Sequence, residues 1–323
     1  MSARVLGRGS APGKVILLGE HAVVYGRPAI AVPVTRVQAE AVVTSGLPGE
    51  GLSIHALDLG QVISLTTAPR DHPLAAIARA ALHELGISPM PDWIVSVRST
   101  IPIAAGMGSG AAVSAAIARA LAAAAGYELP THAVSELVYR VEHLHHGTPS
   151  GIDNTVVSYA CPIYFVKGRS PQPLRIARPF WLVIGDTGVP SPTKTAVLEV
   201  RQAWEADPTR FEELFDRIAA LVEVARTAIE AGAVEALGPL MTENQALLRE
   251  IGVSSPELER LIEAARAAGA SGAKLVGAGR GGNMIALAEP DRAEAIAAAL
   301  RAAGAVRTIV TQVDGSSDPR DLL

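Results

Sequence analysis

Pro102-Ile103-Ala104-Ala105-Gly106-Met107-Gly108-Ser109-Gly110-Ala111-Ala112 is the stretch from which the rest of the chain can be read. It lies between Trp93 to Arg98, which alternates apolar and polar residues, and an alanine-rich run, Ser109 to Ala125, stopped by Gly126. The first has the period of a half-buried strand and the second the composition of a strong helix. The glycines therefore belong to a strand-to-helix turn. A helix start offers unpaired N–H donors and partial positive charge, and glycine lets an anion come close to them. Phosphate is the natural guest. Ser109 can cap the helix, donate to phosphate or ligate Mg2+. The plain alternative is an ordinary strand-to-helix turn, which Pro102 and three glycines within nine residues make the weaker reading. It is not a P-loop, since G-x-x-x-x-G-K-[ST] occurs nowhere in the chain.

Outward from this turn, two further glycine-rich segments have the look of phosphate-facing backbone. One is Ala11-Pro12-Gly13-Lys14, followed by an apolar run and then Gly19-Glu20-His21; the other is Lys274-Leu275-Val276-Gly277-Ala278-Gly279-Arg280-Gly281-Gly282. Between the second and third lie Glu142, near the end of a predicted helix Thr131 to His146, and Asp153, just past the break Gly147-Thr148-Pro149-Ser150-Gly151. A tight reversal can bring both carboxylates into one pocket, one for Mg2+ and one for an acceptor proton. An exposed helix residue and a turn residue are the plain alternatives. Together the segments point to an ATP-dependent transfer onto a small molecule. Arginine carries most of the positive charge, and lysine occurs only at 14, 167, 194 and 274. Keeping lysine at three of these segments fits a need for a compact point charge there. Thr193-Lys194 follows the loop from Asp186 to Pro192 and also reads as a plain helix start. His143, His145 and His146 crowd one helix end, but their spacing is not a zinc pattern, and a helix C-terminus favours histidine anyway.

The 323 residues suffice for two domains. With aromatics at 4%, the core must be Ala, Val, Leu and Ile. A net charge of -4 argues against nucleic-acid and anionic-membrane partners. No apolar run reaches membrane-spanning length, no signal peptide is visible, and the single Cys161 cannot form an internal disulfide; a reducing cytoplasm is expected. Val15 to Leu18, Ala29 to Val32 and Val37 to Val43 read as strands, and Pro73 to Leu85 as a helix. The segment Gly168 to Pro179 reads as a linker rich in Pro and Arg. A strand from Phe180, several helices to Ala268, a glycine-rich loop, a strand Asn283 to Ala288, a helix and a last strand Val306 to Val313 follow. The tail from Asp314 is expected to fray. This mixture is α+β or α/β in two domains, 1–178 and 179–323.

At these residues the chain resembles the GHMP kinase superfamily, with all three glycine motifs in order over nearly its whole length. Within the superfamily it looks most like the branch that phosphorylates mevalonate. That likeness rests on Ala11 to Val15, Gly19 to Gly26, His146 to Asn154, and the loop Val189 to Val197. The resemblance implies an α+β fold with an N-terminal domain like ribosomal protein S5 domain 2 and a ferredoxin-like C-terminal domain. It implies ATP and Mg2+ as cofactors, mevalonate as the small-molecule partner, and admits a homodimer. Asp153 would be the catalytic base, with Lys14 beside it. Pro102, Ala105, Gly106, Met107, Gly108, Ser109, Gly110 and Ala111 would wrap the triphosphate. Glu142 and Ser109 would hold the metal. Glu20, His21, Ser150, Thr193 and Gly279 would meet the acceptor. Two positions depart from the family pattern: Gly110 stands where a second serine is frequent, and Arg280 where glycine is usual.

Overall fold

The computed structural model describes residues 4–103, 105–146, 149–191 and 193–315, with the side chains of 144–146 left aside. Ala104, Gly147, Thr148, Pro192 and most of the tail from Asp314 therefore lie outside the described residues.

Two long strands set the first half. β1 (Val5–Leu18) runs antiparallel along the whole of β2 (Ala29–Ser45). The two β2 runs expected from sequence are one strand. The break between them is a bulge: Pro12 pairs with Gln38 while its neighbour Gly13 pairs with Val34. Extra residues on one side of a ladder bend the strand without ending it. Ala11-Pro12-Gly13-Lys14 is consequently strand and not a phosphate-facing loop. Its part in the site is to carry Lys14. On the other side of β2, β5 (Trp93–Ser99) covers residues 39–45 and β6 (Ile163–Phe165) covers 29–31. β3 (Ser53–Ala56) joins β5 in parallel and forms a hairpin with β4 (Gln61–Ser64); β7 (Gln172–Pro173) closes the far edge on β6. β7 sits inside the segment expected to be a linker. Leu174 and Ile176 beside it are buried, so apolar anchors among the prolines and arginines tie this stretch down.

Helix α2 (Ser109–Ala124) lies on β1 and β2, with α1 (Pro73–Glu84), α3 (Thr131–His146) and α4 (Ile152–Tyr159) around it. Alanine permits this close seat at no side-chain entropy cost. A Cβ on Gly9 would overlap the α2 backbone at Ala116 and Ala120. The antiparallel seating of α2 on β1 brings the start of the helix to Lys14.

The second sheet is antiparallel, in the order β11 (Arg307–Val313), β8 (Phe180–Asp186), β10 (Asn283–Ala288), β9 (Gly272–Leu275). In chain order this is fourth, first, third, second, the ferredoxin-like arrangement. α5 (Thr193–Ala206), α6 (Pro208–Ala231), α7 (Leu237–Ile251) and α8 (Pro256–Ala267) connect its first two strands, and α9 (Ala293–Ala302) its last two. β9 corrects the sequence reading, which placed Lys274 in the glycine-rich loop. Its four residues are all buried, so no polar–apolar alternation marks it.

One contiguous core runs through both sheets. α6 packs on a 3-10 turn, Ala22–Tyr25, after β1, where Tyr25 stacks on Phe215 with ring centroids 4.3 Å apart. Arg27 pairs with Glu212 and Asp216 of α6. Among the described residues no helix is long and apolar enough to cross a membrane.

Candidate active site

A cavity of about 310 Å3 opens where the end of β1, the start of α4, the start of α5 and the loop after β9 converge. Lys14 and Asp153 form its polar centre. Lys14 Nζ lies 2.7 Å from Asp153 Oδ1; the lysine side chain is 3% exposed and the aspartate 32%. The pair is closed on the protein side and open to the cavity.

Each member is placed by local backbone geometry. The Lys14 N–H donates to Met107 O at 3.0 Å. Its side chain runs past Gly108, whose φ is 69°, and a Cβ there would lie 3.0 Å from Lys14 Cγ. Asp153 stands in the first turn of α4, a helix not foreseen from sequence. Gly151, with φ 94°, starts it, and Thr155 Oγ1 donates to Gly151 O at 2.6 Å. Asn154 Nδ2 donates to Ser135 Oγ at 2.9 Å and Ser135 O at 3.2 Å, which pins α4 to α3. Glu142, on α3, also borders the cavity. Burial, and after it the charge of Asp153, push its carboxyl up to about 8, against the pull of Lys14. Two carboxylates share one lysine, and among the described residues Glu142 has no ion pair of its own.

The turn at the end of β1 supplies Glu20 and His21. His21 has φ 62° and ψ -52°, and Ala22 N–H donates back to Glu20 O at 2.7 Å. This is a γ-turn of the rarer positive-φ kind, strained for a residue with a Cβ. His21 Nε2 lies 3.1 Å from Ala278 O. A carbonyl only accepts, so Nε2 carries the proton and Nδ1 remains the acceptor. Burial holds the ring neutral, its pKa lowered to about 4 despite that bond. Glu20 forms a buried ion pair with Lys274 of β9.

Of the expected nucleotide-binding residues, Gly106 borders the cavity. Its φ is 80°, and a Cβ there would lie 3.2 Å from Val276 O and 3.3 Å from Gly277 Cα, so the second and third glycine segments meet backbone to backbone. Pro102, Ala105, Met107, Gly108, Ser109, Gly110 and Ala111 form the approach to α2 beside it and do not line the cavity. Ser109 is not the helix cap: Gly108 is, and Ser109 takes the first helical position. Met107 and Ala111 are core by side chain. Ala105 O accepts from Asn283 Nδ2 at 2.6 Å.

Ser150 and Thr193 line the cavity as expected. Gly279 does not. It is packed against the Val253 backbone, and its carbonyl accepts from Ser191 Oγ at 2.6 Å. Gly277 and Ala278 take that wall instead. Arg280 turns away and pairs with Glu199 of α5 at 2.9 Å. Lys194, singled out with Thr193 in the sequence, lines the cavity, but the rest of the α5 face, Val197, Leu198 and Arg201, was given no role there. The i, i+4, i+8 spacing of Thr193, Val197 and Arg201 was its available signal. Arg201 is held by Glu205 at 3.0 Å. Lys194 has no ion-pair partner among the described residues.

A chain with this fold and this site is a GHMP kinase: the description "GHMP kinases N terminal domain" matches residues 73–161 and "GHMP kinases C terminal" residues 225–306, and the chain belongs to that family. Its similarity is to mevalonate kinases. It is 36% identical to the mevalonate kinase of Thermococcus sibiricus, over 94% of this chain and 95% of that one. It is 37% identical to that of Pyrococcus horikoshii, over 93% of each. The crystal structure of L. major mevalonate kinase in complex with R-mevalonate superposes with a TM-score of 0.84 at 30% identity, covering 97% of both chains.

Proposed function

We propose that this chain transfers the γ-phosphoryl group of ATP to the 5-hydroxyl of mevalonate, giving 5-phosphomevalonate and ADP. The observation that carries the reading is the Lys14–Asp153 pair, buried on one side and open to a cavity bordered by the glycine turn before α2. Asp153 Oδ accepts the proton of the acceptor hydroxyl, or orients it toward the phosphorus. Lys14, at hydrogen-bond distance from Asp153, offsets charge that develops on the transferred group. His21 Nδ1 can accept from an acceptor hydroxyl.

Mg2+ fits this donor set. It takes one or two carboxylates and completes its shell with phosphates and water. Glu142 borders the cavity as a buried carboxyl, and Ser109 stands in the first turn of α2 behind Gly106, which borders it too. Among the described residues no cluster of three or more acidic, histidine or cysteine side chains would form an all-protein cage. When bound, Mg2+ would be held by Glu142 and Ser109 and would neutralise phosphate charge.

Apolar walls at Ile16, Val24, Ile152 and Val197, with Lys194 as the unpaired cation, suit a small branched acceptor bearing one carboxylate. We take residues 1–178 and 179–323 as the two domains, and the cytoplasm as the location, in keeping with a single cysteine, Cys161, that has no internal partner for a disulfide. The test is ADP release with Mg-ATP and, separately, mevalonate, phosphomevalonate, homoserine and galactose. Turnover with mevalonate alone is expected; turnover with another of the four and not mevalonate overturns the acceptor and leaves the fold and family standing.

A further inference from the structure

Lys274 contributes nothing to the cavity wall, yet it is fully buried and spends its charge on a residue that does line it. Its Nζ pairs with Glu20 Oε1 and donates to Leu275 O at 2.7 Å. Glu20 is 1% exposed, and its Oε2 has no hydrogen-bond partner among the described residues. A sealed ion pair with an unsatisfied oxygen is a poor stabiliser, since desolvation offsets most of its attraction. The best-attested use of such a pair is to fix one arrangement of two elements. Here the elements are the end of β1 in the first sheet and β9 in the second, 254 residues apart.

The backbone next to Glu20 is what needs fixing. The γ-turn at His21 is in a sparsely populated conformation, which persists only where its surroundings over-determine it. Two tethers hold it: Glu20 to Lys274, and His21 Nε2–H to Ala278 O. Both partners belong to the same short piece of chain, β9 and the glycine loop that follows. Losing the first tether leaves the strained turn held by the ring's own bond to Ala278 O alone, so the turn can relax and carry the imidazole with it.

We propose that Lys274 is a positioning residue of the acceptor site, acting through Glu20 to hold the Glu20–His21–Ala22 turn and so present the His21 ring to the acceptor. This rests on the acceptor site being where the proposed function puts it, but not on the acceptor being mevalonate.

The experiment uses the full chain with two variants, Lys274→Met and the double Glu20→Gln/Lys274→Met, the second of which removes both buried charges and so is spared an unpaired one. Kinetics are read well below each melting temperature, with whichever acceptor of the four-compound panel the wild type uses. The acceptor KM rises about tenfold or more and kcat falls in both variants, while the KM for ATP stays within about twofold. The double variant recovers thermal stability over the single one without recovering the acceptor KM. Wild-type acceptor kinetics in either folded variant would overturn the proposal and leave the pair a structural strut. A measurement on the unmodified protein stands beside this one. Its 15N ring signals should show His21 as the neutral Nε2–H tautomer at neutral pH; the Nδ1–H tautomer or an imidazolium would overturn the proposal even if neither variant folds. Silence of the wild type on all four acceptors would count against the proposed function, while the His21 signals, and their loss of a single tautomer in the double variant, would still decide this inference.

Discussion

Two lysines of this chain are buried to nearly the same degree, and each faces a carboxylate that borders the cavity. Lys14 is 2% exposed and Lys274 is 0%. They differ in what their partners can do. Asp153 keeps a third of its side chain open, so the Lys14 pair can exchange a solvent contact for a ligand contact. Glu20 is sealed, so the Lys274 pair has nothing to exchange. An ion pair open on one side can work on a substrate, and one closed on both sides can only hold parts in place. The two should therefore fail differently.

The largest difference is expected in activity. Asp153→Asn keeps the shape and removes the charge, so turnover falls by about 100-fold to 10,000-fold, the range of a lost general base. ATP binding, measured by titration calorimetry, persists. Its melting temperature stays near that of the wild type, because Lys14 can still donate to the amide oxygen. Lys274→Met shows the opposite balance: leaving Glu20 buried without its partner costs about 3–5 kcal/mol of stability in chemical denaturation. Asp153→Asn losing ATP binding together with turnover would make Asp153 structural and erase the comparison.

How far the sequence carried this contrast can be seen in the same residues. Lys14, Asp153 and Glu142 were legible because each adjoins a local signal: an apolar strand, a glycine break, a helix end. The three glycine segments were legible as a set, though only two are loops. Lys274 was misread for a physical reason. A strand buried on both faces lacks the alternation that reveals one, and the glycines after it pull the eye toward a loop. Its partner lies at the other end of the chain, and no local pattern encodes a pairing of that kind. Past Thr193 and Lys194 the α5 wall was hidden likewise, since its helix reads only as amphipathic until the cavity shows which face is used.

A smaller effect separates two titrating groups of the same wall. For the metal-free protein, Glu142 has a folded pKa raised to about 8, so its protonated form favours the fold. That contribution is complete below the unfolded value of 4.5, declines above it, and is lost as pH rises through about 8. His21 has the reverse sign. Its folded pKa is lowered to about 4 from 6.5, so its contribution is present above 6.5 and is lost as pH falls through 4. Each is worth a few kcal/mol at most by linkage. Denaturation of Glu142→Gln should show a flatter decline from pH 5 to 8 than the wild type, and His21→Gln a flatter decline from pH 6 to 4. A Glu142→Gln profile that overlays the wild type would mean that another cation already compensates Glu142 and would weaken its role as a metal ligand.

The smallest effect is at two glycines one residue apart from Ser109. Gly108 is held at φ 69°, and a Cβ there would press on the Lys14 side chain, with Lys14 Cγ at 3.0 Å and Cε at 3.2 Å. Gly110 is exposed, lies within the first turn of α2, and has open space where a Cβ would go. Gly110→Ala should therefore stabilise the protein by about 0.5–1 kcal/mol, the usual gain of replacing glycine in a helix, with its kinetics unchanged. Gly108→Ala should lose stability, because a Cβ is strained at this φ, and also activity, because the Lys14 side chain must give way by a few tenths of an ångström where it meets Asp153. The pair of substitutions separates the working lysine from its helix. If Gly108→Ala loses stability but keeps kcat, then Lys14 tolerates displacement, and its position matters less than its charge. If Gly110→Ala loses activity while gaining stability, the open space at that position is used by the nucleotide, and the glycine that departs from the family pattern is part of the phosphate site.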